Sequence, residues 1–518
     1  MINSGTSLEQ QNHIYSVEKD EIVAYLSNYL EKRHCSLILS EKQYIDKEYL
    51  ADFASFHLKA FAHYKKTCSR VHFFTGVCYD EIDDFKRALL LSPNFGLSHC
   101  FFQERYLGFV VVKPLPNHFI GRTCIKPEFQ EGANIFAYQY KSNIHGLELF
   151  IHSLPFQAQD PSIGVCASVS LWSALKGASK IFDDLVVPNI GKITDIADKI
   201  VPTTQRVYPS SGLRPTQMVQ VIKQLDLEVE YRDWYNPIFR NKLKEIIKGY
   251  CAIKLPAILL LNLKRYPSSS PSYIPNHAVA LSGYKINNRP IKEYQNSQFY
   301  LKAENMDMLY IHDDNGGPFL ECPLEFDEVN NVYSLKIPRY NHNFPFPLVD
   351  GKEIAVICGI IFPVYNKIRV DFEHVIFNMV KIDQLFKIFF EQMMQKASPI
   401  TWDIELLTIS DFKQAFKDEF LDEDTKMEII CSNYPRFIWR CSCFTGDDST
   451  KKVFEILEDA TGLPNATYIF KIYFFDNEIL KAFKQFINQD DLNSYIISIL
   501  KIEDDFMILK EKINALPS

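Results

Sequence analysis

The stretch FQAQDPSIGVCASVSLWSALKG, residues 156–177, decides the fold class of the central part of this chain. Turn-forming residues lead into Cys166, and apolar residues then recur at helical spacing as far as Gly177, a residue type that favours helix ends. The pattern predicts a buried helix with Cys166 in its first turn. A thiol there lies at the positive end of the helix dipole, which favours the thiolate, the form of cysteine that acts as a nucleophile.

Two glutamines precede this cysteine, Gln159 by seven residues and Gln157 by nine. An amide side chain in this position can donate a hydrogen bond to an oxyanion that develops during attack by the thiolate, with the backbone N–H of Cys166 as a second donor. The sequence leaves open which glutamine does so. It also leaves open a purely structural interpretation, in which Cys166 is a small residue that packs a helix end.

A histidine follows in PNHAVALSGYKI, residues 275–286. The alternation of apolar residues predicts a strand that begins at His277, directly after a loop rich in proline and serine. A general base needs a fixed backbone and an accessible ring, and we expect both here. Taken alone, His277 fits better a surface or half-buried histidine at a strand start, with no catalytic role.

Acidic residues end the next candidate strand, in LYIHDDNGGPF, residues 309–319. A carboxylate there can accept a hydrogen bond from an imidazole and fix its tautomer. Because side chains alternate along a strand, we expect Asp313 and Asp314 to point to opposite faces, so that only one can serve. We favour Asp313, because the turn begins after it. His312 is a competing base, although its place inside the strand suits a structural role better.

The order Gln, Cys, His, Asp and the strand written H-x-V-x-L-x-G-Y from His277 resemble the papain-like cysteine peptidases, in particular the C39-like group of bacterial peptidases. The resemblance implies an α+β fold with a papain-like core, in which a helix carrying the cysteine packs on an antiparallel sheet carrying the histidine and the aspartate. It implies that Cys166 is the nucleophile, His277 the general base and then acid, Asp313 the orienting carboxylate and Gln159 the oxyanion donor.

The matching motifs lie in the middle of the chain, which predicts three domains: an N-terminal α/β region (1–145), the peptidase-like domain (146–365) and a C-terminal α/β region (366–518). The net charge of −8 and the absence of a strongly basic stretch argue against nucleic acid as a partner. Apolar runs are too short to span a membrane, and no secretory signal pattern is present, so we expect a cytoplasmic protein. The sequence shows no metal-binding or cofactor-binding motif, and we expect neither group.

The sequence therefore predicts a cysteine peptidase that acts on a peptide or protein substrate through a thioester intermediate. Two alternatives stay open. A transglutaminase-type acyltransferase would use the same three residues with an amine in place of water. A catalytically inactive papain-like binding or scaffold protein is favoured by the long flanking regions and by Ala167, which stands where the family usually has glycine. The sequence gives no indication of oligomeric state.

Overall fold

A computed structural model describes residues 20–77, 96–115, 119–160, 162–200, 207, 212–264, 273–287, 299–341, 344–393, 400–417, 423–445, 451–463, 469–489 and 503–516. The chain forms two compact units. The first comprises Met1–Tyr235, Lys254–Lys285 and Met308–Pro363, and the second comprises Asn236–Ile253, Ile286–Asp307 and Val364–Ser518. The predicted division into three consecutive domains stays a prediction.

Twelve helices are described: α1 (Glu21–Lys32), α2 (Lys47–Ser55), α3 (Gly96–Arg105), α4 (Cys166–Ala178), α5 (Ile190–Ile200), α6 (Pro215–Gln224), α7 (Pro237–Cys251), α8 (Phe372–Met393), α9 (Ile409–Lys417), α10 (Glu423–Cys431), α11 (Asn477–Ile487) and α12 (Glu503–Asn514). Short 3-10 helices span His57–Lys59 and Lys302–Asn305. Of the described residues, none belongs to a helix long and apolar enough to cross a membrane.

The described strands are β1 (Cys35–Tyr44), β2 (Cys68–Thr75), β3 (Tyr106–Val112), β4 (Ile120–Ile125), β5 (Ala133–Ile135), β6 (Tyr138–Ile144), β7 (Leu147–Ser153), β8 (Leu227–Asp233), β9 (Ile258–Leu263), β10 (His277–Ile286), β11 (Tyr300–Leu301), β12 (Met306–Asp313), β13 (Gly317–Asp327), β14 (Val332–Pro338), β15 (Lys352–Tyr365), β16 (Ile400–Thr408), β17 (Phe437–Thr445), β18 (Lys451–Asp459) and β19 (Ile469–Phe474). Helices and strands together make the fold α+β, as predicted.

The central sheet of the first unit closes on itself. Strands pair in the order β12-β13-β14-β15-β9-β10, and β10 pairs back to β12, which makes a six-stranded barrel. The apolar runs of β9 and β15 are buried along almost their whole length, as expected for strands covered on both faces. Closure of the barrel makes β10 and β12 neighbouring strands. The first residue of β10 is His277, and the last residue of β12 is Asp313.

The rest of the first unit surrounds the barrel strands with smaller layers. Strands β1 to β4 form an antiparallel sheet in chain order, and β6 pairs with β7. Helix α4 is buried along nearly its whole length, because eleven of its thirteen residues are buried. At its C-terminal end Gly177 lies against Pro256, where a Cβ atom would approach the proline ring to 2.4 Å. Helix α4 is therefore a core element, as its sequence predicted.

The second unit has its own sheet, in the order β11-β16-β17-β18-β19. Its core is aromatic, with Trp402 and Trp439 fully buried. Phe386 of α8 stacks on Phe454 of β18, with ring centroids 3.9 Å apart, and on Phe483 of α11 at 4.3 Å. Cys441 and Cys443 of β17 are also buried there, where each packs as a small apolar residue.

Candidate active site

Cys166 is the first residue of helix α4, and its side chain is half-buried. A tight loop delivers the chain to this point: the N–H of Gly164 donates to the carbonyl of Asp160 over 2.8 Å, and Asp160 donates back over 3.1 Å. Gly164 is required for close packing, because a Cβ atom there would lie 2.5 Å from Ile190. Val165 at the N-cap provides no capping side chain, but its backbone carbonyl accepts from the N–H of Ser168 over 2.9 Å.

His277 is the first residue of β10, as predicted, but its ring is not accessible. The side chain is only 4% exposed. The expectation of an open ring was wrong because barrel closure covers the head of β10 with the end of β12. The imidazole Nε2 lies 2.8 Å from Oδ1 of Asp313, the last residue of β12. The second ring nitrogen, Nδ1, is thereby left for another partner.

Cys166 lies close enough to the imidazole to influence its pKa. A side-chain hydrogen bond and the charge of Cys166 are both among the influences on the imidazole. Burial lowers the pKa of His277, but the charge and hydrogen bond of Asp313, aided by Cys166, outweigh burial and raise the pKa well above its usual range. Three distant stretches of chain therefore bring a thiol, an imidazole and a carboxylate into one site.

Asp313 is fully buried and its carboxylate has several donors. Besides His277, the backbone N–H of Asn315 donates to Oδ1 over 3.1 Å, and Nη1 of Arg339 donates to Oδ2 over 2.7 Å. Burial raises the pKa of Asp313, but the charges of Arg339 and His277 outweigh it and hold the pKa well below its usual range. Asp313 is therefore the ionised member of this site.

Asp314 also faces the imidazole, which corrects the expectation that the two aspartates point to opposite faces. Its Oδ1 lies 3.6 Å from Nε2 of His277. Strand alternation fails here because β12 ends at Asp313, with an irregular register between Ile311 and Asp313, and a turn follows. Burial raises the pKa of Asp314 well above its usual range, and its Oδ2 has no hydrogen-bond partner among the described residues.

Gln159 lies beside the site, but its amide is engaged. Its Nε2 donates to Oδ1 of Asn315 over 2.6 Å, which ties the loop before Cys166 to the turn after Asp314. Gln157 is buried, with 3% exposure. The predicted oxyanion role of Gln159 stays a prediction, and its contact with Asn315 adds a structural role that the sequence did not suggest.

His312, the competing base, points away from the thiol. Its Nδ1 lies 3.3 Å from Oγ of Ser173, two turns along α4, and its ring packs edge-on against Phe319 with centroids 4.5 Å apart. Burial lowers the pKa of His312 to about 3, which keeps the ring neutral. His312 therefore connects β12 to the cysteine helix and has the structural place expected from its position inside a strand.

Three side chains of this site are also of the types that bind metal cations. His277, Asp313 and Asp314 offer ligand atoms that lie within 4.8 Å of one another. However, one of the two carboxylates already forms an ion pair with the buried guanidinium of Arg339. A divalent ion bound to Asp313 would lie close to that positive charge in a region of low dielectric constant, where like-charge repulsion is strong. The electrostatics favour proton chemistry over metal binding.

Residues that the sequence analysis missed complete the site. Arg339 follows β14 and also donates from Nε to Glu353 of β15 over 3.0 Å. Glu21, at the start of α1, accepts from the backbone N–H groups of Tyr340 and Asn341. No short motif marks these positions. The available signal was the arginine directly after the strand pattern Val332–Pro338, which needs a carboxylate partner wherever it is buried.

Comparison with known protein families found no matching family model, and comparison with curated proteins found no match.

Proposed function

We propose that this protein is a papain-like cysteine hydrolase that cleaves a peptide or protein substrate. The observation that carries the proposal is that Cys166, His277 and Asp313 come together in one site, with 2.8 Å between the imidazole and the carboxylate and with Cys166 near enough to influence the imidazole. Nucleophile, base and orienting acid in mutual contact form the arrangement that activates a thiol for covalent catalysis. Helix α4 lies against barrel strand β9, and its Ser173 contacts His312 of β12, the strand that also carries the aspartate, which supports a papain-like core.

Charge supports the same assignment. A raised pKa of His277 and a lowered pKa of Asp313 favour a positively charged imidazole held between a carboxylate and the thiol. An imidazolium next to a cysteine at a helix N-terminus stabilises the thiolate. Cys166 would thus be the nucleophile of the reaction.

The chemistry that follows has two steps. The Cys166 thiolate attacks the carbonyl carbon of an amide, and the imidazolium of His277 gives its proton to the departing amine, which leaves a thioester. His277, now neutral, takes a proton from water, and the resulting hydroxide attacks the thioester carbon and releases the carboxylic acid and the thiolate. The backbone N–H of Cys166, at the start of α4, would supply a hydrogen bond to the tetrahedral oxyanion.

The test is a comparison of the wild-type chain with Cys166→Ala. We expect the variant to lose both hydrolysis of a broad peptide library and labelling by a thiol-directed covalent probe, with a nearly unchanged melting curve. Cys431→Ala is the matched control, because Cys431 is exposed on α10 and lies outside the site. Full hydrolysis by Cys166→Ala would rule out the mechanism.

The same residues would serve an acyltransferase if an amine reached the thioester before water. Adding a primary amine such as glycine ethyl ester to the hydrolysis assay separates the two activities by their products. A transferase gives the amide of the added amine as the main product, whereas a hydrolase gives the free acid. A chain that shows neither product and yet binds peptides through this surface would match the inactive binding protein.

A further inference from the structure

Two adjacent aspartates face one imidazole in this site, and a single buried cation contacts only one of them. Arg339 donates to Oδ2 of Asp313 over 2.7 Å, while Asp314 holds its Oδ1 3.6 Å from the same imidazole nitrogen that Asp313 approaches to 2.8 Å. The site thus contains two carboxyl groups near the imidazole, those of Asp313 and Asp314, and Arg339 donates a hydrogen bond to Asp313.

We infer that Arg339 is a positioning residue that selects Asp313, rather than Asp314, as the carboxylate that holds His277. The inference rests on the proposed function, because it assigns a role within the same site. Two negative charges this close to each other repel strongly in a buried site, so ionising both aspartates is energetically unfavourable. Arg339 adds a second positive charge beside Asp313, next to the imidazolium, so Asp313 is the aspartate whose negative charge is compensated by two cations.

The guanidinium itself is fixed from its other side. Its side chain is 0% exposed, and it forms an ion pair with Glu353, which is 1% exposed. Its planar donors therefore divide between two carboxylates, a geometry that the compact ammonium of lysine reproduces poorly. The backbone next to it is fixed by Glu21 of α1, which accepts from the N–H groups of Tyr340 and Asn341.

The turn after Asp314 is built to allow this approach. A Cβ atom at Gly316 would lie 2.6 Å from Nη1 of Arg339 and 3.1 Å from Oδ2 of Asp313. Glycine is thus required at position 316 for the guanidinium to reach the carboxylate. Other titratable groups that influence Asp313 or its partners are Cys166 of α4, Asp314, Cys322 of β13, Glu353 of β15 and Glu21 of α1.

The experiment measures the rate of alkylation of Cys166 by iodoacetamide between about pH 5 and pH 9, a range that brackets the ordinary thiol pKa. Peptide mass spectrometry on the full chain gives a rate for Cys166 alone, because Cys100 and Cys431 are also exposed. We expect the wild type to react at the acid end of this range, where an isolated thiol is protonated. The variants are R339Q/E353Q, which neutralises the ion pair without leaving a lone buried charge there, and Gly316→Ala, which displaces the guanidinium without removing it.

We expect the alkylation rate at pH 6 to fall at least tenfold in both variants. The rate of Arg339→Lys should fall less than the rate of R339Q/E353Q. The decisive variant adds Asp314→Asn. In the wild-type background Asp314→Asn should change the rate less than threefold, but in the R339Q/E353Q background it should restore at least threefold, because the competing carboxyl is gone. A residue with a merely structural role would give no such restoration.

The outcomes separate the two proposals. An ordinary thiol profile in the wild type would remove the proposed function and this inference with it. A wild-type profile shifted to acid pH that persists unchanged in folded R339Q/E353Q and in Gly316→Ala would overturn the inference alone. If R339Q/E353Q does not fold, Gly316→Ala decides, with Gly146→Ala as its control, since Gly146 lies between β6 and β7 and has open space around the position of a Cβ atom.

Discussion

At the scale of single residues, the candidate site depends on which of two neighbouring aspartates is ionised. Both are buried, yet the pKa of Asp313 is lowered by Arg339 and His277, whereas the pKa of Asp314 is raised by burial. The pKa values of two identical, adjacent side chains are thus shifted in opposite directions. The difference comes from a cation that touches one and not the other.

The first prediction concerns the matched pair Asp313→Asn and Asp314→Asn. Asparagine at 313 keeps the shape but loses the charge that holds the imidazolium, and we expect hydrolysis to fall by up to roughly 10⁴-fold, the loss known for a triad aspartate changed to asparagine. Asparagine at 314 replaces a carboxyl that is partly protonated at pH 7 and lies 3.6 Å from the imidazole nitrogen, against 2.8 Å for Asp313, so we expect less than a threefold change. Steady-state rates of both variants at pH 7 test this, and equal losses would contradict it.

At the scale of elements, the turn between β12 and β13 is held by helix α1. Gly317 has φ of +138°, and a Cβ atom there would lie 2.6 Å from the ring of Tyr25. Tyr25 also packs edge-on against Tyr340, with ring centroids 5.4 Å apart. Helix α1 thus contacts both the turn that carries the aspartates and the segment that carries Arg339.

The second prediction follows from this packing. Gly317→Ala adds backbone strain and a clash with a buried ring, so we expect a loss of about 2–5 kcal/mol in the free energy of unfolding. Gly351→Ala has φ of +73° but meets nothing within 4 Å, so we expect about 1–2 kcal/mol from strain alone. Melting curves of the two variants compare them, and an equal loss in both would argue against the contact with Tyr25.

At the scale of the whole molecule, the buried carboxyls make stability depend on pH. In the folded protein Asp314 keeps its proton at pH values where an aspartate in the unfolded chain, with a pKa of about 3.9, has lost it. Unfolding then releases a proton, so this residue lowers stability progressively as pH rises from about 4 towards its raised pKa. Asp313 acts in the opposite sense: its contribution is present above about pH 4 and is lost in acid, as pH falls towards its lowered pKa.

The third prediction is that Asp314→Asn gains stability relative to wild type as pH rises from about 4.5 to 7.5, by roughly 1.4 kcal/mol for each unit by which the folded pKa exceeds the unfolded one. The raised pKa of His277 gives a contribution that is present at acid pH and is lost as pH rises through that pKa, and it is common to both proteins. Melting temperatures of both proteins across this range provide the measurement. A difference that is constant with pH would mean that Asp314 is ionised in the fold.

The local sequence pattern by itself determined the helix and strands that carry the residues of the candidate site. Cys166 opens a buried helix, His277 opens a strand and Asp313 closes one, because apolar spacing, glycine stops and turn residues are properties of neighbouring positions. The tertiary structure decided the rest. Closure of the barrel buried the imidazole that was expected to be open, and the end of β12 at Asp313 turned both aspartates to the same side. Arg339 and Asp313 lie in segments far apart in sequence, and strand pairing brings them into contact. No local sequence pattern encodes this proximity.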